Sequence, residues 1–220
     1  MATTVHEPPK LNSHPPNNGG WHGIPPAARN RTAVEDSSPA SRTGVWVGLA
    51  AITMTFAAFT SAMVVRQGAS QDWQSFALPR ILYVDTAVLL ASSLTLEMAR
   101  KRVAAFVHGA QGLHAAAARW LWLTLALGLL FVAGQYAAWL RLRAEGLYLA
   151  TNPSSSFFYL FTAAHGLHIL GGLVGLGLVI GRFSRRVPTL RVSTLSTVAY
   201  YWHFMDVLWI YLLLLLWMRI

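Results

Sequence analysis

The chain contains no cysteine, and charge is scarce. Only 11% of its 220 residues are Asp, Glu, Lys or Arg, and the 8 acidic residues are outnumbered by 17 basic ones. Without cysteine there is no disulfide, no thiolate metal site and no cysteine nucleophile. A soluble domain of this size carries roughly a quarter charged residues, so the deficit argues against a large water-exposed surface. Several motifs are missing as well. There is no glycine-rich phosphate loop ending in Lys-Ser/Thr, no His-Glu-x-x-His and no nucleophile elbow. The alternating ten-residue pattern of a membrane β-barrel is also absent. What fills the chain instead is apolar: 55% of residues are hydrophobic, gathered into long runs with the charges between them. That distribution predicts an all-α, polytopic membrane protein. Its formal charge of +9 is then accounted for by membrane topology, and no nucleic-acid partner is expected.

Residues 1–42 stand apart. They are rich in Pro, Asn, Gly and Ser, include three Pro-Pro pairs and show no apolar periodicity. Such a stretch buries too little surface to offset its conformational entropy, and a disordered cytoplasmic tail is expected. No apolar h-region follows the first residues, so it does not read as a secretory signal. His6, His14 and His22 recur every eight residues, which fits weak surface metal binding or plain chance.

Five apolar runs follow, at 43–65, 78–99, 120–140, 154–181 and 192–218. About 20 helical residues cross the hydrocarbon core, so each run is long enough to span it. Helices are required because lipid leaves backbone groups no outside partner. Lys10, Arg29, Arg31, Arg42, Arg100, Lys101, Arg102, Arg119, Arg182, Arg185, Arg186 and Arg191 fall on one side, 12 of the 17 basic residues. The positive-inside rule then places the N-terminus in the cytoplasm and the C-terminus outside.

Polar residues inside these runs are the candidates for chemistry, because burying them in lipid is costly. His165 and His168 in the fourth run, and His203 and Asp206 in the fifth, are spaced three apart and share helix faces. An interhelical polar cluster of His165, His168, His203 and Asp206 is expected. It reads either as glue between helices or as a proton path, and the histidines read either as packing groups or as haem or metal ligands. Asp85 in the second run is a further intramembrane carboxylate, with Arg80 five residues away and off its face. Glu97 is expected to pair with the neighbouring basic residues at the cytoplasmic interface. Gly171, Gly175, Gly177 and Gly181 give small-xxx-small spacing twice, a pattern that lets helices approach closely.

These segments resemble a known family. The stretch 157–172, FFYLFTAAHGLHILGG, is similar to the helix signature of subunit III of haem–copper terminal oxidases. YWHFMDVLWIYL at 201–212 resembles that subunit's last helix, and Leu78-Pro79 with Asp85-Thr86 and LLASSLT at 89–95 resembles another. The span 120–139, carrying Thr124, Gly128, Gly134 and Gln135, fits the helix between them. Five spans match the short form of the family, in a bacterial-type inner membrane.

The resemblance implies a subunit with no redox centre or metal of its own. It would pack against catalytic subunit I, which carries the haems and copper, and beside subunit II. The complex would reduce dioxygen to water and pump protons, with this chain supporting assembly and proton uptake and holding phospholipid in a cleft. Cytochrome c is the expected electron donor and quinol the alternative. Two departures from the family pattern stand out. Ile52 lies where many members carry an acid in the first helix, and Ala138 precedes Trp139 where Glu is common. Two other readings fit the residues: an accessory subunit of a nitric oxide reductase, and an independent bis-His haem protein of the membrane.

Overall fold

A computed structural model describes residues 39–69, 71–107, 113–184 and 192–220. The tail expected to be disordered, with its three histidines, lies almost wholly outside the described residues. Five helices account for nearly all the rest: α1 (Pro39–Ala69), α2 (Ile81–Val107), α3 (Leu113–Ala144), α4 (Pro153–Ser184) and α5 (Val192–Arg219). Each is long and apolar enough to cross a membrane. At 1.5 Å per residue they run roughly 40 Å or more, beyond the ~30 Å hydrocarbon core, so their ends project.

The helix limits differ from the apolar runs for local reasons. α1 starts at Pro39, four residues before the run, and proline is well suited to a first helical turn. α2 starts at Ile81 rather than 78, because Pro79 disfavours helix at the residue before it. It continues past 99 to Val107, carried by a two-bond ion pair. Arg100 Nε donates to Glu97 Oε2 at 2.9 Å, and Nη2 donates to Oε1 at 3.0 Å. α3 ends in a Schellman motif. Gly146 takes a positive φ of 80°, its N–H donates to the Arg143 carbonyl, and the Leu147 N–H donates to the Leu142 carbonyl. α4 begins with Asn152 as its cap, the side-chain oxygen accepting from the Ser155 N–H at 2.8 Å, and Pro153 follows at the first position.

The helices α2, α3, α4 and α5 pack in ring order, with α5 closing back on α2, while α1 leans on α4 and α5. The reason lies in a strict buried stripe. In α2 the buried residues Leu82, Asp85, Leu89, Ser92, Leu96, Ala99 and Val103 alternate spacings of three and four. α3 repeats the pattern with Ala117, Leu121, Thr124, Gly128, Phe131, Gln135, Ala138 and Leu142. α4 does so with Phe158, Thr162, His165, Ile169, Gly172, Leu176, Val179 and Phe183. A mean spacing of 3.5 is the seam along which helices interlock side chains. Among its described side chains α1 buries Leu49, Phe56 and Met63, one residue in seven. Its one-sided contact follows from that.

Candidate functional site

Nearly every buried polar side chain of the four-helix ring occupies a seam position or its neighbour, and most bridge two helices. The antiparallel pair α2 and α3 is joined twice. Gln135 Nε2 donates to Asp85 Oδ2 at 3.1 Å, and the hydroxyls of Thr95 and Thr124 meet at 2.9 Å. Asp85 needs the glycine opposite it: a Cβ at Gly134 would collide with the Asp85 carboxylate. Asp85 is therefore held by α3, and Arg80 lies exposed at the start of α2.

α2 and α5 are joined by a ladder. Trp209 Nε1 donates to Thr86 Oγ1 at 2.9 Å, and Trp202 Nε1 donates to Ser92 Oγ at 3.0 Å. Beside the Ser92 rung lies a three-residue cluster. Ser93 Oγ lies 3.0 Å from His203 Nδ1 and donates to Asp206 Oδ2, and His203 Nδ1 is 3.9 Å from the same carboxylate oxygen. Asp206 is buried, with its Oδ1 unpartnered among the described residues, whereas the His203 side chain is 42% exposed.

The four-member cluster expected from spacing is thus divided. His203 and Asp206 come together, joined by Ser93 of α2, while the two α4 histidines go elsewhere. His165 is fully buried, wedged edge-on against Phe131 and tilted against Trp209 at 5.0 Å between ring centres. Neither of its ring nitrogens has a hydrogen-bond partner among the described residues. His168 Nδ1 lies 2.7 Å from the Ala164 carbonyl of its own helix, and its ring packs on Phe56 of α1. A three-residue step turns about 60° short of a full circle. With His165 on the seam toward α3 and α5, that offset carries His168 round to α1.

Among the described residues, no close helix approach is seen at Gly171, Gly175, Gly177 or Gly181. A Cβ at Gly175, Gly177 or Gly181 would meet nothing within 4 Å among the described residues, and one at Gly171 only the Tyr201 hydroxyl at 3.8 Å. A four-residue stripe drifts off a 3.5-residue seam. The close approaches occur at seam glycines instead: Gly172 against Tyr201 and Trp202, and Gly128 against Leu173 and Trp202. Gly171 and Gly175 line a shallow groove of about 350 Å³ with Val45, Thr197, Val198 and Tyr201.

Spacing arguments overlooked Ser92, Ser93, Trp202 and Trp209 as bridging groups. Serines and tryptophans that interrupt an otherwise apolar seam were the available signal.

The order of these motifs along five spans can be compared with known proteins. The family model described as cytochrome c oxidase subunit III matches residues 47–219. The chain belongs to that family. It is 36% identical over 173 residues to a probable cytochrome c oxidase subunit 3 of Nocardia farcinica, covering 76% of this chain and 82% of the relative. It is 32% identical over 179 residues to cytochrome c oxidase subunit 3 of Thermostichus vulcanus, covering 79% and 84%. Subunit 3 of a cytochrome bo(3) ubiquinol oxidase from Pseudomonas aeruginosa is 30% identical over 172 residues, covering 76% and 79%. Four of the five helices fall wholly in the matched region, and α1 does so from residue 47 onward. As a subunit III, this multi-pass membrane protein is part of an oxidase complex with other subunits, and its polar ladders are the internal bracing of that subunit.

Proposed function

We propose that this chain is the non-redox third subunit of a proton-pumping oxidase, bracing catalytic subunit I and sustaining its proton uptake while dioxygen is reduced to water. One observation carries the reading: most of its intramembrane polar side chains are spent on joining helices. Asp85, Ser92, Thr95, Thr124 and Gln135 each face a partner on a neighbouring helix. His165 is locked between aromatic rings and His168 is tied to its own backbone. Such a subunit offers a rigid, preshaped surface, and the haems and copper belong to its partners. Subunit I, with subunit II beside it, is the partner, and phospholipid fills the clefts at its surface. The N-terminus lies in the cytoplasm of a bacterial-type inner membrane and the C-terminus outside. Cytochrome c is the donor to the complex.

Purification in a mild detergent tests this directly. The chain is expected to bring down a haem-bearing large subunit that consumes oxygen, and to show no Soret band once separated from it. A chain that purifies alone would sink the proposal, and a Soret band of its own would replace it with a haem-binding role. Steady oxygen turnover by the complex stripped of this subunit should decay faster than in the intact complex.

A further inference from the structure

Three side chains form a line from the interior of the ring to its surface. Asp206 is buried on α5, Ser93 of α2 lies beside it, and His203 is half exposed. The bonds fix which group donates. Ser93 has a single hydroxyl proton, and it goes to Asp206 Oδ2. The 3.0 Å contact between Ser93 Oγ and His203 Nδ1 is then made by a proton on Nδ1. With Nδ1 turned inward, the exposed edge of the ring carries Nε2, which is left as an acceptor.

Position gives that nitrogen a way to water. Tyr200, one turn nearer the start of α5, is 49% exposed. On α2, Glu97 stands one turn past Ser93 and pairs with Arg100, which lies beside Tyr200. Phenolic and charged side chains favour the headgroup level, so His203 is about one helical turn, roughly 5 Å, from hydrated groups. Other titratable groups on the helices packed around α5 are held elsewhere. Asp85 accepts from Gln135, His168 bonds the Ala164 carbonyl, and Tyr201 donates to the His168 carbonyl. His165 is enclosed by Phe131 and Trp209. Among the described residues, Ser93 and His203 are therefore the hydroxyl and titratable groups at Asp206.

We propose that His203 and Ser93 form a proton relay that loads Asp206 from water on the side of the membrane where α5 begins. A hydronium ion gives its proton to Nε2 and leaves as water, forming one N–H bond. The Nδ1–H bond breaks, and its proton passes to Ser93 Oγ. The serine's own proton moves on to Asp206 Oδ2. The cluster thereby goes from one negative charge to neutral, and both hydrogen bonds reverse. The carboxylic acid now donates to Ser93, and Ser93 donates to Nδ1. Discharge runs the same steps backwards. The inference rests on the proton-uptake part of the role above and names the residues that hold the proton. Glue between α2 and α5 accounts for the bonds to Ser93, but it does not call for a titratable ring with its second nitrogen outside.

Infrared spectroscopy of the intact complex reads this proton directly. A carboxylic-acid C=O band is expected that Asp206→Asn removes, that grows as pH falls and that shifts on transfer to heavy water. Asp206→Glu, which moves the band instead of removing it, assigns it independently. Ser93→Ala should slow the heavy-water shift by about 100-fold, the usual worth of a positioned proton-transfer group, and Ser93→Thr should restore it. His203→Gln keeps a hydrogen-bonding end but cannot titrate, so it should slow the shift as Ser93→Ala does. Wild-type exchange in His203→Gln would reduce the imidazole to a brace and overturn the relay. So would a band missing at every pH, a band of constant intensity, or one that shifts as fast in Ser93→Ala as in wild type. Normal oxygen turnover in Asp206→Asn would overturn the relay's part in proton uptake. A wild-type chain that purifies with no oxidase would instead remove the role and leave the exchange standing, because the band belongs to this chain.

Discussion

Two buried carboxylates occupy the same helix ring in different ways. Asp85 is sealed: it sits on the α2 seam, accepts from the Gln135 amide and is enclosed by the bare backbone of Gly134. Asp206 is buried on α5, but its partners lead outward, through Ser93 and then to the half-exposed His203. The first arrangement ends inside the subunit and joins two helices. The second ends at a half-exposed side chain on the surface of the chain. Burial alone would have graded them alike. The chain of partners separates the two.

The largest expected effect breaks the sealed side. Gly134→Ala puts a methyl group into the Asp85 carboxylate, and overpacking of this kind costs about 1–3 kcal/mol. Reduced thermal stability of the subunit in detergent should follow, and Asp85→Ala added to it should recover much of the loss. No recovery in the double variant would show that the α2–α3 approach is set elsewhere.

A second pair of substitutions sharpens the contrast. Asp85→Asn keeps an acceptor for Gln135 and should leave oxygen turnover and subunit retention near wild type. Asp206→Asn also keeps an acceptor for Ser93, but it replaces the carboxyl group beside His203 with an amide. Its effect should appear in steady oxygen turnover by the complex, at a few-fold loss. If the two asparagine variants behaved alike, the outward and inward carboxylates would not differ in role.

His165 offers the mildest core test. Its ring nitrogens are unpartnered and its neighbours are Phe131 and Trp209, so an apolar ring of similar size gives up no hydrogen bond. His165→Phe should change the melting temperature by a few degrees at most, and in the stabilising direction if its volume fits. A strong loss would mean the imidazole finds a polar partner in the assembled complex.

Five spans and the family were legible because both rest on long signals: hydropathy summed over some 20 residues, and motifs in a fixed order. Pairing between helices was less so. That His203 and Asp206 share a face follows from a three-residue spacing, and they do meet. The same spacing joined His165 to His168 and misled, because it says nothing of which neighbour each faces. Resolving them required the 3.5-residue seam, on which His165 falls and His168 does not. The seam also separates most of the glycines: Gly128 and Gly172 lie on it and are crowded, Gly171, Gly175, Gly177 and Gly181 lie off it and are not, and Gly134, one residue off it, is crowded by Asp85. α1 was legible as a span, but its loose contact was not, since its hydropathy resembles that of the other four helices.

The smallest effect concerns the end of the ring opposite the Asp206 cluster. Trp139 Nε1 donates to Thr162 Oγ1 at 3.0 Å and so ties α3 to α4 near the capped start of α4. Trp139→Phe keeps most of the ring and removes only that donor. Thr162 keeps a partner, since its hydroxyl also donates to the Phe158 carbonyl at 2.7 Å. The loss should therefore be no more than about 0.6 kcal/mol, the typical worth of one interhelical hydrogen bond in a membrane. It is measurable as a small fall in the unfolding midpoint, with oxygen turnover unchanged. A fall several times larger would mean that the edge-on contact of Trp139 with Tyr159, and through it the Tyr159 hydroxyl bonded to the Leu147 carbonyl, depends on the indole. The α3–α4 turn would then be held from the tryptophan rather than from the Schellman cap.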